Sequence, residues 1–348
     1  MNPQAASDDI ASPRPAPPWQ IPLLAGMAVG VPLCVAALLR NPPVGMLVAS
    51  GGMSLLYLPR SYRSKSERLR RLAACGGGLV LCFALGALGA IHPVVSVAVL
   101  GGVTLAAVVI CRRFAVAPPA SFFFVLTTAV AGHIPWDGAA LPIKTGWVAL
   151  GAVWAWLLAR VLSNGAPPQR PAPEGTPGPD PNLPALMVEA SILGGAVASS
   201  VALAMILKFG NPYWAAVSCI AILQGATFRA VWHRHFHRIL GTVVGVGVSW
   251  WWLPHFGDPM TLAVMVTVLM MIVEYLVPRH YGLAVVLITP LAIGFSEFAS
   301  GGLPIHALLW SRLIETILGS AVGALAGSLV HHPNGCRRAA RWVEGWLN

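Results

Sequence analysis

Charge is the scarcest material in this chain. Of 348 residues, 12 are Asp or Glu and 22 are Lys or Arg, a tenth of the total, against 56% hydrophobic residues. So little polar material cannot coat a water-soluble globule of this length, and a mean hydropathy of +0.72 makes lipid the main solvent. Catalytic apparatus is missing too: there is no GxxxxGK[ST], no GxGxxG after a strand, no HExxH, GxSxG or CxxC, and no nucleophile recognisably paired with a base. ATP hydrolysis, redox chemistry and metalloproteolysis lose their support, and an enzyme is not expected. Cys34, Cys75, Cys82, Cys111 and Cys219 lie in or beside apolar runs and Cys336 in a basic tail, without metal-ligand spacing, so neither a disulfide framework nor a metal site is expected and no cofactor is implied. Residues 1–18, with Asp8, Asp9 and five prolines, lack the basic start and cleavage site of a secretory signal and read as a disordered cytoplasmic tail.

What the chain has instead is apolar runs. They fall near 21–39, 44–58, 72–91, 94–110, 117–131 and 143–162, then near 185–207, 212–223, 239–253, 260–277, 282–295 and 307–330. These predict an all-α integral membrane protein with about 12 transmembrane helices. Crossing a core of about 30 Å takes about 20 residues, so the second, fifth, eighth and eleventh runs are short and either tilt little or re-enter. The proline-rich stretch at 163–184 reads as a semi-rigid cytoplasmic linker between a first membrane half at 19–162 and a second at 185–330, with a basic cytoplasmic tail at 331–348.

The net charge of +10 would suit nucleic acid were it not placed between apolar runs. With the N-terminus inside, the clusters around Arg60 to Arg71, Arg112–Arg113, Arg160, Arg229 to Arg238, Arg279 and Arg337 to Arg341 are cytoplasmic. Only Arg40, Lys144, Lys208 and Arg312 are left toward the outer face. This asymmetry places both termini in the cytoplasm by the positive-inside rule and makes anionic lipid headgroups, not nucleic acid, the partner of the basic loops.

The halves echo one another. Asn41-Pro42 and Asn211-Pro212 each open a short run followed by a basic segment and a glycine-rich run. Arg113-Phe114 precedes Thr127-Thr128 as Arg279-His280-Tyr281 precedes Thr289-Pro290. Each half has an even number of runs, so two parallel six-helix repeats related by an axis along the membrane normal are expected, with a substrate path at their interface.

Ionisable groups inside the runs are expensive and are therefore the candidates for function: Glu189, Glu274, Arg312 and Glu315. Arg312 and Glu315, three apart on one helix, either pair with each other or face a polar cavity. Glu189 and Glu274 sit near run ends, where they either reach headgroup water, pair with loop arginines or serve as proton-coupling carboxylates. Glu315 is the preferred coupling group. The segment from Trp232 to Arg238 alternates His and Arg and reads as a solvated basic loop rather than a metal site; Trp250 to Trp252 mark an interfacial belt.

The second half also resembles a known family. Asn211-Pro-Tyr213-Trp214-Ala-Ala, Arg238-Ile-Leu-Gly241-Thr242-Val-Val-Gly245, Arg279 and Tyr281 through Thr289-Pro290, and Arg312-Leu-Ile-Glu315-Thr-Ile-Leu-Gly319 are similar to the fusaric acid resistance family, the aromatic acid exporters. The resemblance covers most of residues 185–330; only a degraded version of the Arg-x-x-Gly-Thr-x-x-Gly run appears around Arg71 to Gly78 in the first half. It implies a bacterial inner-membrane, proton-driven exporter of aromatic or other organic carboxylates, in some members working with a periplasmic adaptor and an outer-membrane channel. The large cytoplasmic domains typical of the family have no counterpart here. Arg312, Arg238 and Arg279 would draw the anion, and Tyr213, Trp214 and Tyr281 would contact a flat ring. A passive organic-anion channel and a non-transporting scaffold for envelope assembly are the competing readings, and a homo-oligomer is compatible with the sequence.

Overall fold

The computed structural model describes residues 19–59, 64–162, 183–225, 227–300 and 305–331. The N-terminal tail, nearly all of the linker and the basic C-terminal tail lie outside the described residues. Twelve α-helices occupy the described chain: α1 (Gln20–Leu38), α2 (Pro42–Gly52), α3 (Lys65–Gly89), α4 (Pro93–Arg113), α5 (Phe122–Ala131), α6 (Leu141–Leu162), α7 (Leu183–Ile206), α8 (Tyr213–Leu223), α9 (Phe228–Trp252), α10 (Pro259–Leu276), α11 (Tyr281–Ser300) and α12 (Ile305–Val330). Eight of these, α1, α3, α4, α6, α7, α10, α11 and α12, are long and apolar enough to cross a membrane, which makes the chain a multi-pass membrane protein. By that measure the expected dozen crossings reduce to eight.

Of the four helices that fall short, α2, α5 and α8 do so by length, while α9 has 25 residues but opens on basic turns. The helices α2, α5 and α8 have 11, 10 and 11 residues. At about 1.5 Å per residue each reaches roughly 16 Å, half of a bilayer core. The expectation that the eleventh run is also short is corrected: α11 has 20 residues. The apolar pattern breaks at Ser296 and Glu297, but the helix continues through Phe298 to Ser300.

A second correction concerns the basic segments. Residues 232–238 are not a loop but the first turns of α9, and α3 likewise begins at Lys65, inside the Arg-rich stretch. Local capping extends both helices: Ser64 Oγ accepts the Glu67 N–H at 3.2 Å, and Thr227 Oγ1 accepts the Ala230 N–H at 3.2 Å, satisfying donors that a helix start leaves orphaned. Elsewhere proline at the first turn starts α2, α4 and α10. Both α1 and α7 end on a left-handed residue, Arg40 at φ 53° and Lys208 at φ 55°. In each, the following N–H reaches five residues back, Asn41 to Ala36 and Phe209 to Ala204, closing a Schellman turn.

The helices pack through glycine. At the α2–α6 crossing a Cβ on Gly51 would strike the Val148 carbonyl and one on Gly151 the Val48 carbonyl; at the α8–α12 crossing Gly319 and Gly323 press on the backbone of Ala215 and Cys219. In lipid there is no hydrophobic force to pull apolar helices together, so close backbone approach supplies the contact. In α1–α6, α1 packs on α2, α2 on α6, and α3 on α5 and α6; in α7–α12, α7 packs on α8, α8 on α12, and α9 on α11 and α12. Between the sets, α1 meets α10, α4 meets α7, α5 meets α8 and α2 meets α11.

Candidate functional site

The interior of the α8, α9, α11 and α12 group carries most of the buried polar chemistry. On α9, residues near four-residue spacing, Arg234, Arg238, Thr242, Gly245 and Ser249, form one face. On α12, Arg312, Glu315, Thr316 and Ser320 face the same interior and are all buried. Glycine on α9 and proline on α11 set the spacing: Pro290 offers no N–H to the Val286 carbonyl, and Gly245 lies against that carbonyl and against Thr289. Gly241 lies in the same way against Val285.

Arg312 and Arg238 are each 2% exposed. Neither forms an ion pair among the described residues, and the Nε of each has no hydrogen-bond partner. The Arg312 guanidinium lies over the Trp214 ring, with Cζ 5.1 Å from the ring centre; Arg238 Nη2 donates weakly to Ser218 Oγ at 3.4 Å. A ring face and a hydroxyl soften a positive charge without neutralising it.

Glu315 is fully buried, and the structure does not pair it with Arg312. Its Oε1 instead accepts the Asn211 backbone N–H at 2.7 Å and the Ser311 hydroxyl at 2.6 Å, while Asn211 Nδ2 donates to Ser311 Oγ at 3.2 Å. The carboxylate thereby caps the start of α8 from α12, where the helix dipole favours negative charge. Its Oε2 has no hydrogen-bond partner. Two residues beyond Asn211, the Tyr213 hydroxyl meets Ser296 Oγ of α11 at 3.1 Å. His133, from the turn after α5, packs at a tilt against the Tyr213 ring, with centroids 5.2 Å apart.

Of the other candidates, Glu189, Glu274 and Arg279 lie apart from this group, whereas Thr289 lies against Gly245 within it. Glu189 on α7 pairs with Arg112 of α4, Oε1 to Nη2 at 2.6 Å. Glu274 is half-buried near the end of α10. Arg279 folds back on its own helix: Nη1 donates to the Tyr275 carbonyl at 2.9 Å and Cζ lies 3.8 Å from the Tyr275 ring centre, so it caps α10 rather than lining the interior. Thr289 is buried and returns its hydroxyl to the Val285 carbonyl at 3.2 Å. Tyr281, at the start of α11, has a buried hydroxyl without a partner. Among the described residues no three His, Cys, Asp or Glu are placed to hold a metal ion.

Sequence reasoning missed Ser311, Ser218, Ser296 and His133. Ser311 had a signal, standing four residues before Glu315 on one helix face. The others come from distant elements and leave no local pattern.

Buried polar side-chain atoms without hydrogen-bond partners gather here. His237 Nδ1, Arg238 Nε, Thr242 Oγ1, Tyr281 Oη, Arg312 Nε, Glu315 Oε2, Thr316 Oγ1 and Ser320 Oγ belong to α9, α11 and α12, against Ser54 Oγ and Thr145 Oγ1 in α1–α6.

Comparison with known proteins places this same region. Residues 197–326 match the family described as fusaric acid resistance protein-like. The matched segment runs from within α7 to near the end of α12 and so contains the whole polar interior. The chain is also similar to an uncharacterized membrane protein of Bacillus subtilis, YvaC, at 30% identity over 127 residues, 36% of this chain and 20% of that protein. It is 30% identical over 130 residues to an uncharacterized protein of Synechocystis sp., 37% of this chain and 17% of that one. The chain thus spans a fifth or less of the length of these curated relatives. No solved structure matches.

Proposed function

We propose that the chain is an inner-membrane exporter of organic carboxylates, aromatic ones among them, with the anion carried past Arg238 and Arg312. The observation that carries this reading is the pair of fully buried arginines without a carboxylate partner. An arginine at mid-helix costs about 3 kcal/mol on insertion scales, so retaining two unneutralised charges inside a membrane bundle calls for a bound anion. Trp214 and Tyr213 beside Arg312 suit a planar ring, and the match to the fusaric acid resistance protein-like family supports a carboxylate.

Glu315 is the proton-coupling group in this reading. As a carboxylate it holds Asn211 and the start of α8; protonated, it accepts those bonds less strongly and frees α8 to shift Trp214 against Arg312. The architecture proposed with it is two parallel six-helix repeats with both termini cytoplasmic. In support, the pairings α1–α2, α2–α6, α3–α5, α3–α6 and α1–α10 recur six helices on as α7–α8, α8–α12, α9–α11, α9–α12 and α7–α4, and the turns at Arg40 and Lys208 coincide in form.

Proteoliposomes loaded with benzoate and given an imposed proton gradient test the function. Gradient-driven flux is expected. Flux indifferent to the gradient would make the protein an anion channel; no flux, with tight co-purification of another membrane protein, would make it a scaffold.

A further inference from the structure

A second group of partner-seeking side chains sits at the basic end of the α9–α11 seam, one turn before Arg238. His233 and His237, four apart on α9, have ring centroids 4.1 Å apart, and the His237 ring lies 6.5 Å from that of Tyr281. Arg234 Cζ lies 4.9 Å from the Tyr281 ring centre, while its Nη1 donates to the Ala221 carbonyl at 3.2 Å. His237 Nδ1 and Tyr281 Oη are both shut away from solvent without a hydrogen-bond partner. Gly282 keeps the floor of the seam low, since a Cβ there would already touch the His237 ring.

Leaving a buried polar atom unsatisfied costs about 1–3 kcal/mol, and here two such atoms belong to neighbouring rings. The charge around them decides what satisfies both. Arg234 and Arg238 flank the imidazoles on α9, which opposes a metal cation and favours an oxyanion accepting from the tyrosine hydroxyl and an imidazole N–H. We infer that His233, His237, Tyr281 and Arg234 form an oxyanion-receiving site at the cytoplasmic mouth, an entry station ahead of Arg238 and Arg312. Its place as an entry station rests on the export reading; its existence as a binding site does not. The oxyanion is either the carboxylate of a cytosolic organic acid or the phosphate of an inner-leaflet lipid, two sources of one chemistry.

The test is benzoate binding to the full chain in phosphatidylcholine nanodiscs, followed by calorimetry. Two sites per chain are expected. Tyr281→Phe, which removes one oxygen and leaves the ring, and His237→Leu should each weaken one site roughly tenfold and spare the other; Arg312→Ala should do the reverse. Adding phosphatidylglycerol to the disc and finding only the Tyr281-dependent site blocked would identify the lipid phosphate as its occupant, with the oxyanion chemistry upheld. Benzoate binding unchanged in both Tyr281→Phe and His237→Leu overturns the site, as does zinc chloride binding that disappears in His237→Leu while benzoate binding persists. Two-site binding without any flux in proteoliposomes would sink the export reading and leave this site standing.

Discussion

At the α2–α6 crossing the groups that meet are Gly51, Gly151 and the carbonyls of Val148 and Val48; at the α8–α12 crossing Gly319 and Gly323 meet the backbone of Ala215 and Cys219 in the same manner. The second crossing carries something more. Trp214 on α8 lies under Arg312 of α12, and Glu315 reaches Asn211 at the start of α8. At the corresponding start of α2 the Asn41 N–H goes to the Ala36 carbonyl at 2.8 Å, and Pro43 and Val44 stand where α8 has Tyr213 and Trp214. In α1–α6 the charges sit at the ends: Arg68 donates Nε to the Pro59 carbonyl at 3.1 Å, Arg71 pairs with Glu67 at 2.8 Å, and Arg112 reaches across to Glu189. Similar close crossings therefore carry little side-chain chemistry between α2 and α6 and a polar interior around α8 and α12.

The comparison breaks most sharply at Arg312. Arg312→Ala should lower benzoate flux in proteoliposomes by at least tenfold at unchanged protein yield, because a central buried cation is worth several kcal/mol to a bound anion. Arg71→Ala, outside the polar interior, should leave flux within about twofold.

Packing should fail alike on both sides. Gly151→Val and Gly319→Val each drive a branched side chain into backbone across a crossing, so each should lower stability by about 1–3 kcal/mol or more, read as a lower Tm in detergent. Loss at Gly319 alone would mean that the α2–α6 contact is slack.

Glu315→Gln sharpens the chemical difference. A glutamine carbonyl can still accept from Asn211 and Ser311, so Tm should move little, while flux should lose its dependence on the proton gradient. Retained dependence would move the coupling to another group.

His133 gives a smaller, pH-dependent effect. Burial holds its imidazole below the ordinary range, with a backbone hydrogen bond at Gly210 opposing. Its folded-state value is depressed, so the unfolded chain takes up the proton first. Its contribution is complete above the unfolded value near about 6.5 and falls as pH drops from there toward the folded value. Tm should therefore decline between pH 7.5 and pH 5.5 more in the wild type than in His133→Gln, a comparison that other titrating groups leave intact.

The smallest effect belongs to Arg112→Ala. The pair with Glu189 is mostly exposed on the arginine side, at 61%, and such pairs contribute about 0–1 kcal/mol, so Tm should shift by no more than a degree or two.

How much of this was legible in the sequence follows from how local each signal is. Twelve helices could be read from apolar runs and proline–glycine punctuation, and α2, α5 and α8 were recognisably short. The starts of α3 and α9 were misplaced because hydropathy ends where the basic residues begin, whereas Ser64 and Thr227 cap the helices a turn or more earlier. Arg312 and Glu315 stood out as charges in apolar surroundings, but their spacing left both a mutual pair and a polar cavity open. The structure gives Glu315 to Asn211, more than a hundred residues away, and Arg312 to a ring on α8. Arg279 could be placed near a mouth from the sequence, which carries no sign of the Tyr275 carbonyl behind it. Contacts made within one helix turn leave a pattern in the sequence; contacts between distant helices do not.

The most direct measurement is benzoate flux through proteoliposomes bearing Arg238→Ala, Arg312→Ala or both, each matched for folded protein in the membrane. The account predicts that either substitution cuts flux at least tenfold and that the double variant is no worse than about the poorer single, since both arginines serve one path. Flux at the wild-type level in the double variant would contradict it.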